Sequence, residues 1–378
     1  MKVADRLGIG IESFTPGGIR SWLDRVRAGG LTEAEHKATL NLVFRIWLVA
    51  FFLKVLGSGW DVSWHFRWFR DDFAPPHNIN LLGDGIAIVL VLCHWYTRFA
   101  VDKLALRLMI GGISLFLVSA PIDVLNHRIN GLDITSWSLT HFGLYTGTAI
   151  LIAGAIRAWR IYGVGVSSRH FILGALWAYF LENLWFPQQQ QEYGVIALSN
   201  FAAGTPTADQ ELLDFARDQA GVKVLDLATF KSFALPIQDW VYPLWMVGAA
   251  MLVLLAARRT VGLRWTATTI AVAYVGFRCV MWPILVGTGF PQSAVPFALI
   301  LGALAIDLIC LAGLPWLVES AVGAVSVTAV CYVALYLQDV VLEAPPISYW
   351  SAPIAAACLL AGWALVAGLR AKRNVLLF

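Results

Sequence analysis

Residues 39–57 read TLNLVFRIWLVAFFLKVLG, an apolar run interrupted only by the charges of Arg45 and Lys54. A helix of about 20 residues crosses the ~30 Å hydrocarbon core of a bilayer, so this run is long enough for one membrane span. Runs of similar length and character recur along the whole chain of 378 residues. The sequence therefore predicts an all-α fold, a polytopic bundle of transmembrane helices.

The composition excludes most other classes. Hydrophobic residues make up 59% of the chain and charged residues only 13%, with a mean hydropathy of +0.70, whereas soluble chains carry about 25% charged residues. An outer-membrane barrel is excluded as well, because its strands alternate polar and apolar side chains. The net charge of +3 indicates no nucleic-acid partner. The five cysteines lie inside apolar runs without a CxxC pair, which argues against a disulfide framework or thiolate metal site.

We predict about ten spans with both termini in the cytoplasm. Basic residues collect between spans two and three, four and five, and six and seven, and after span ten, at 98–107, 157–169, 258–264 and 370–373. Cytoplasmic loops carry such an excess, so we expect an integral protein of the cytoplasmic or inner membrane. No apolar segment with a small-residue cleavage site opens the chain, so no removable signal peptide is expected. The predicted spans are 39–57, 81–97, 104–122, 138–157, 169–187, 237–257, 265–284, 293–312, 315–336 and 350–369.

Two segments are polar enough to lie outside the bilayer. In residues 1–38, apolar side chains recur at helical spacing beside arginines between 19 and 27. This pattern predicts a short amphipathic helix, either on the membrane surface or simply solvated. Residues 188–236 form the one sizeable hydrophilic loop, on the outer side, with a helical pattern over 207–222.

Four of the seven histidines fall into two similar triplets, each with an acid. The acid precedes the first histidine by four residues, which puts both on one helix face, and a second histidine follows 12 or 14 residues later. Two imidazoles and a carboxylate suit copper, iron or zinc. A lone interfacial histidine is more often only a hydrogen-bonding group, but the repetition on one predicted side favours metal sites. The triplets are Asp61, His65 and His77 in WDVSWHFRWFRDDFAPPH, and Asp123, His127 and His141 in PIDVLNHRINGLDITSWSLTH.

Over residues 40–160 these motifs resemble the C-type membrane subunit of the copper membrane monooxygenases, the particulate methane and ammonia monooxygenase family. The resemblance lies in WDVSWH, RDDFAPPHNIN and the second triplet with its following HFGLYTG. It implies that each triplet ligates one copper ion near the outer, periplasmic side of the bilayer. Two departures stand out: Asp123 replaces the family's usual asparagine, and the gap from His65 to His77 is slightly short.

The C-terminal half is similar, more faintly, to the A-type membrane subunit of the same enzymes through GFPQSAVPFALILGALAIDLICLAG at 289–313. The resemblance divides the chain into an amphipathic segment 1–38, a C-like region 39–160, a fifth span 161–187, the loop 188–236 and an A-like region 237–378. It implies dioxygen activation at copper and hydroxylation of a small apolar or gaseous substrate. The family's cupredoxin-containing subunit has no counterpart in this sequence, so either a separate chain supplies it or the protein works without it. The resemblance also implies an electron donor such as a quinol and an oligomer.

Three other functions use the same ligands. A metal transporter or metal-handling protein would need polar residues continuing through the spans, and few follow toward the cytoplasmic side. A diiron membrane hydroxylase would carry HxxxH and HxxHH clusters, which the sequence lacks. A structural component that keeps a metal site without chemistry stays open.

Several acids accompany the two triplets. Glu182 and Asn183, predicted near the outer end of span five, line the metal cavity, act as a proton relay or, as is more common, cap the span at the interface. Asp71, Asp72 and Asp84 flank the first triplet, and each is a candidate to replace Asp61 as a ligand or to accept a hydrogen bond from an imidazole.

Four further polar side chains have structural interpretations. Arg278 in span seven and Asp307 in span eight are predicted near mid-membrane, where the simplest expectation is that they neutralise each other. His94 and His170 are predicted near the cytoplasmic side, as interfacial side chains.

Overall fold

The structure, a computed structural model, describes residues 15–69, 74–130 and 135–371. Within these ranges the chain is all-α, without a β-strand. A π-helical turn, Met246–Ala250, lies inside the helix Val241–Val261, and a short 3-10 turn, Tyr349–Ser351, precedes the helix Ala352–Ala371. The helices are α1 (Pro16–Arg27), α2 (Glu33–His65), α3 (Pro75–Thr97), α4 (Lys103–Asn130), α5 (Leu139–Tyr162), α6 (Val166–Ala202), α7 (Gln210–Gln219), α8 (Leu227–Ala234), α9 (Val241–Val261), α10 (Thr266–Gly287), α11 (Ala298–Leu311), α12 (Trp316–Val341) and α13 (Ala352–Ala371).

Each of the ten predicted spans overlaps one of these helices. Eight helices are long and apolar enough to cross a membrane: α2, α3, α4, α5, α9, α10, α12 and α13. The remaining two predicted spans coincide with α6 and α11. At 14 residues, α11 rises only about 21 Å, less than the thickness of the hydrocarbon core. Helix α6 has the length, but polar side chains interrupt its apolar character.

Helix α6 also runs beyond its predicted end at 187. It continues for 15 residues, through the glutamines that read as the start of a hydrophilic loop, and ends at Ala202. Those glutamines, Gln188–Gln191, are buried between helices. Pro187 removes one helical hydrogen bond, and side-chain donors reach the carbonyls nearby: Trp245 Nε1 lies 3.0 Å from Leu184 O, and Trp137 Nε1 lies 3.0 Å from Pro187 O. Tertiary contacts therefore extend a helix that the local sequence would end.

The two predicted extramembrane helices are present. The amphipathic segment forms α1, which packs against α3 through Asp24, a hydrogen-bond acceptor for the Tyr96 hydroxyl, and through Arg27, 4.9 Å above the Tyr96 ring. The pattern over 207–222 corresponds to α7.

The predicted ion pair between Arg278 and Asp307 is wrong. Arg278 pairs with Glu192 of α6 at 2.6 Å, and Asp307 pairs with Arg258 at 3.0 Å. Asp307 also accepts a hydrogen bond from the backbone N–H of Thr268, at the start of α10. Arg278 lies ten residues further along α10, about 15 Å away along the helix axis. The position of each residue within its predicted span placed both charges near mid-membrane, but the register of the two helices keeps the side chains apart.

Helices α2 and α3 form a close pair because glycines remove the side chains at their contact. A Cβ atom added at Gly57 would lie 2.8 Å from Pro76 O, and one added at Gly83 would lie 2.7 Å from Ala50 O. Small residues allow transmembrane helices to approach in this way. This pair of helices carries the first triplet, so its spacing positions the candidate site.

Replacing Gly83 by valine is expected to force the two helices apart and lower stability by about 1–3 kcal/mol, the usual cost of overpacking. Gly85 provides a matched control, since it lies on the same helix and a Cβ there meets no atom within 4 Å. Thermal unfolding in lipid nanodiscs should show a clear loss for Gly83→Val and a much smaller one for Gly85→Val. Equal losses would mean that helix propensity alone explains the effect.

Candidate metal centre

The first triplet assembles where α2 ends and α3 begins. Asp61 and His65 occupy the last two turns of α2, and His77 is the third residue of α3. His65 Nε2 lies 3.3 Å from Asp61 Oδ1, and His77 Nε2 lies 2.7 Å from the same oxygen. The structure therefore brings all three residues together, as the spacing predicted.

The donor atoms of Asp61, His65 and His77 fit a metal ion. One ligand atom from each residue can be chosen so that all three lie within 4.8 Å of one another. Ligands about 2.1 Å from one ion lie at most ~4.2 Å apart, so a small closure would complete the set. Asp61 Oδ1 is buried, and among the described residues no well-aligned hydrogen bond reaches it, despite its two imidazole contacts. A shared cation would satisfy that oxygen.

Two members of the second triplet lie together as well. Asp123 comes from α4 and His141 is the third residue of α5, with His141 Nε2 3.6 Å from Asp123 Oδ1. His141 Nδ1 lies 2.7 Å from the carbonyl oxygen of Thr135. Because a carbonyl only accepts, Nδ1 carries the proton in the neutral ring and Nε2 directs a lone pair toward Asp123. The imidazole lone pair and the carboxylate are both electron-rich, so a cation bound between His141 Nε2 and Asp123 Oδ1 would suit this arrangement. His127 belongs to α4, but its side chain lies outside the described part of the structure.

Both acid–histidine sets line one cavity of about 280 Å³. Its walls come from α2, α3, α4, α5 and α6, so five helices converge on it. Apolar and aromatic side chains make up much of the wall, among them Phe51, Phe116, Leu144, Tyr179 and Phe186. A small ligand in this cavity would therefore lie next to the candidate metal ligands and against apolar walls.

A polar stripe on α2 continues inward from the first triplet. Lys54 and Ser58 lie on the same face as Asp61 and His65, since the spacings are 4, 7 and 11 residues. Lys54 is buried, and its ammonium group lies 2.5 Å from Asp84 Oδ1. Asp84 thus has a partner other than a candidate metal ion. Lys54 was not among the predicted site residues, although a lysine inside an apolar run points to a functional position.

Helix α6 supplies the opposite wall. Glu182 is 3% exposed and lines the cavity, where its Oε1 accepts hydrogen bonds from Ser58 Oγ at 2.9 Å and Gln189 Nε2 at 3.3 Å. Asn183 donates to the carbonyl of Tyr145 at 2.8 Å. Both Glu182 and Asn183 therefore line the cavity, and neither caps an end of the helix, because α6 continues to Ala202.

Among the other candidates that the structure describes, His94 and His170 do not line the cavity. His94 is buried rather than interfacial, with Trp47 Nε1 3.1 Å from its Nε2 and Phe99 O 2.9 Å from its Nδ1. Both ring nitrogens are thus occupied by structural hydrogen bonds. His170 is not among the residues that line the cavity. Asp71 and Asp72 lie outside the described residues.

Comparisons of the chain with protein-family models, with curated proteins and with solved structures find no match.

Proposed function

We propose that this protein is the membrane component of a copper-dependent monooxygenase, which uses dioxygen to hydroxylate a small, poorly reactive substrate such as ammonia or a hydrocarbon. Asp61, His65 and His77 hold one copper ion in this proposal. A second ion is held by Asp123, His127 and His141. The observation that carries the proposal is the convergence of the three donors of the first triplet beside an aromatic-walled cavity that also contains Asp123 and His141.

Copper bound by imidazole and carboxylate ligands supplies redox chemistry with dioxygen. The protein's own part is to hold the ligands, orient the substrate and exclude water from the cavity. No other redox cofactor site is evident in the sequence, so electrons come from a partner, a quinol or a cupredoxin-containing protein. We further propose that the centre faces the periplasmic side of the cytoplasmic or inner membrane and that the protein is oligomeric.

Metal transport is the competing proposal, and the buried pair of Lys54 and Asp84 disfavours it. A translocated cation would pass from Asp61 inward along α2, and Lys54 lies about 10 Å inward on the same face. Its ammonium group is buried beside Asp84. Because Lys54 and Asp84 neutralise each other, this pair offers a passing cation no net attraction to offset the cost of its desolvation. The arrangement suits an ion that stays in place better than one that passes through.

The proposal is tested by elemental analysis of the protein in lipid nanodiscs, after exposure to equimolar copper, iron and zinc. We expect two copper ions per chain in the wild type, one each in His65→Ala and His141→Ala, and none in the double variant. Oxygen uptake with a reduced quinol and either ammonia or a short hydrocarbon should be lost in the single variant that disrupts the catalytic site, so the two variants identify which of the two sites is catalytic.

His170→Ala is the matched control, because this histidine does not line the cavity. It should retain two copper ions and the wild-type oxygen uptake. Copper content that is equal in the wild type and the double variant would overturn the metal sites. Two bound copper ions without any oxygen uptake would instead favour a metal-handling role.

A further inference from the structure

The inner end of the cavity contains a buried acceptor that the proposed metal centre does not use. Asp84 lines the cavity, and its side chain is only 4% exposed. Its Oδ1 accepts from Lys54, whereas its Oδ2 is buried without a hydrogen-bond partner among the described residues. Buried carboxylate oxygens almost always have a donor, because an unpaired one loses its hydration without replacement.

Two other buried acids show what complete pairing looks like in this protein. Glu192 accepts from Trp185 and Tyr242 through Oε1 and from Arg278 through Oε2. Asp307 accepts backbone hydrogen bonds at both oxygens. Neither acid lines the cavity. Asp84 therefore differs from both: it lines the cavity, and no described residue donates a hydrogen bond to its Oδ2.

The surroundings of Asp84 define what can approach that oxygen. Lys54 is fixed by Asn80 Oδ1 at 3.1 Å and lies 4.0 Å above the Phe116 ring, so its charge is already engaged. The rings of Phe51 and Tyr179, 6.3 Å apart, form another part of the wall. A group that approaches Oδ2 must donate a hydrogen bond, and the aromatic rings nearby favour an apolar body for the rest of its molecule.

We infer that this end of the cavity is a binding subsite for a small molecule with an aromatic or aliphatic body and one hydroxyl or amine group, which donates to Asp84 Oδ2. The subsite lies about 10 Å along α3 from His77, so an anchored molecule extends its apolar body toward the first triplet. The inference rests on the proposed function and gives it a ligand class. Binding itself needs no metal, because Asp84 is not among the proposed ligands.

The test compares phenol with anisole, which has the same ring without the O–H donor. Binding is measured by calorimetry on chelator-treated protein in nanodiscs, with empty nanodiscs subtracted. We expect the wild type to prefer phenol. In Asp84→Asn, Lys54 holds the amide oxygen, so the amide nitrogen faces the cavity as a donor. The ratio of phenol to anisole affinity should then fall about 10- to 100-fold, as expected for the loss of a hydrogen bond to a charged acceptor.

Asp102→Asn is the matched control, since Asp102 pairs with Arg157 in a different part of the fold and does not line the cavity. Its affinity ratio should equal that of the wild type. If Asp84→Asn does not fold, the double variant Lys54→Met/Asp84→Leu is measured instead, because it removes both charges together. Its ratio of phenol to anisole affinity should fall by a similar factor.

An unchanged ratio in the folded Asp84 variant, or an equal fall in Asp102→Asn, overturns the subsite. Because the protein is metal-free in this experiment, the result is independent of the copper stoichiometry. Failure of the subsite and failure of the monooxygenase proposal are therefore distinguishable.

Discussion

Arg278→Met is expected to lower the free energy of unfolding by about 3–5 kcal/mol, because removal of one partner leaves a buried charge uncompensated. Glu192 is fully buried, and Arg278 is 4% exposed. The pair joins α6 to α10, and Ser293 accepts a further hydrogen bond from the guanidinium group at 3.2 Å. Unfolding by a denaturing detergent, followed by tryptophan fluorescence, measures the loss.

Two comparisons make this result specific to the buried pair. Arg157→Met breaks the pair with Asp102, whose side chain is 28% exposed, and should cost only about 1 kcal/mol. The double variant Arg278→Met/Glu192→Gln should recover part of the stability, because no full charge is left unpaired. If Arg278→Met and Arg157→Met cost the same, the pair does not tie the two helices together as we describe.

Copper is expected to stabilise the folded protein. His77→Ala should remove the part of this stabilisation that comes from the first metal site. A ligand that binds only the folded state at 100 times its Kd adds about 2.7 kcal/mol of stability. This prediction rests on the proposed metal centre, in which His77 Nε2 lies 2.7 Å from Asp61 Oδ1. Thermal unfolding with copper and with chelator gives the shift for each variant.

His170→Ala controls for the loss of any histidine and should keep the full copper-dependent shift. The metal-free proteins should unfold at similar temperatures, which separates loss of binding from loss of folding. A copper-dependent shift in His77→Ala as large as that of the wild type would show that the stabilising ion binds elsewhere.

The all-α class follows from the amino-acid sequence alone, because runs of about 20 apolar residues can satisfy their backbone groups in a membrane only as helices. The sequence also determined the pairing of Asp61 with His65, since residues four apart share a helix face. The approach of His77, twelve residues later, followed from the short connection between two adjacent helices. These are local properties, set by residues close together in the chain.

The ion pairs, the length of α6 and the cavity depend on residues far apart in the chain, so they follow only from the packing of the helices. The partner of Arg278 is Glu192 rather than Asp307, because helix register sets which side chains meet. Helix α6 continues past Pro187 because neighbouring helices supply side-chain donors and bury its glutamines, which no local pattern encodes. The cavity that joins the two triplets, with Lys54 and Asp84 at its inner end, exists only because five helices converge. Spacing along the chain fixes faces of helices, but only packing between helices fixes which faces meet.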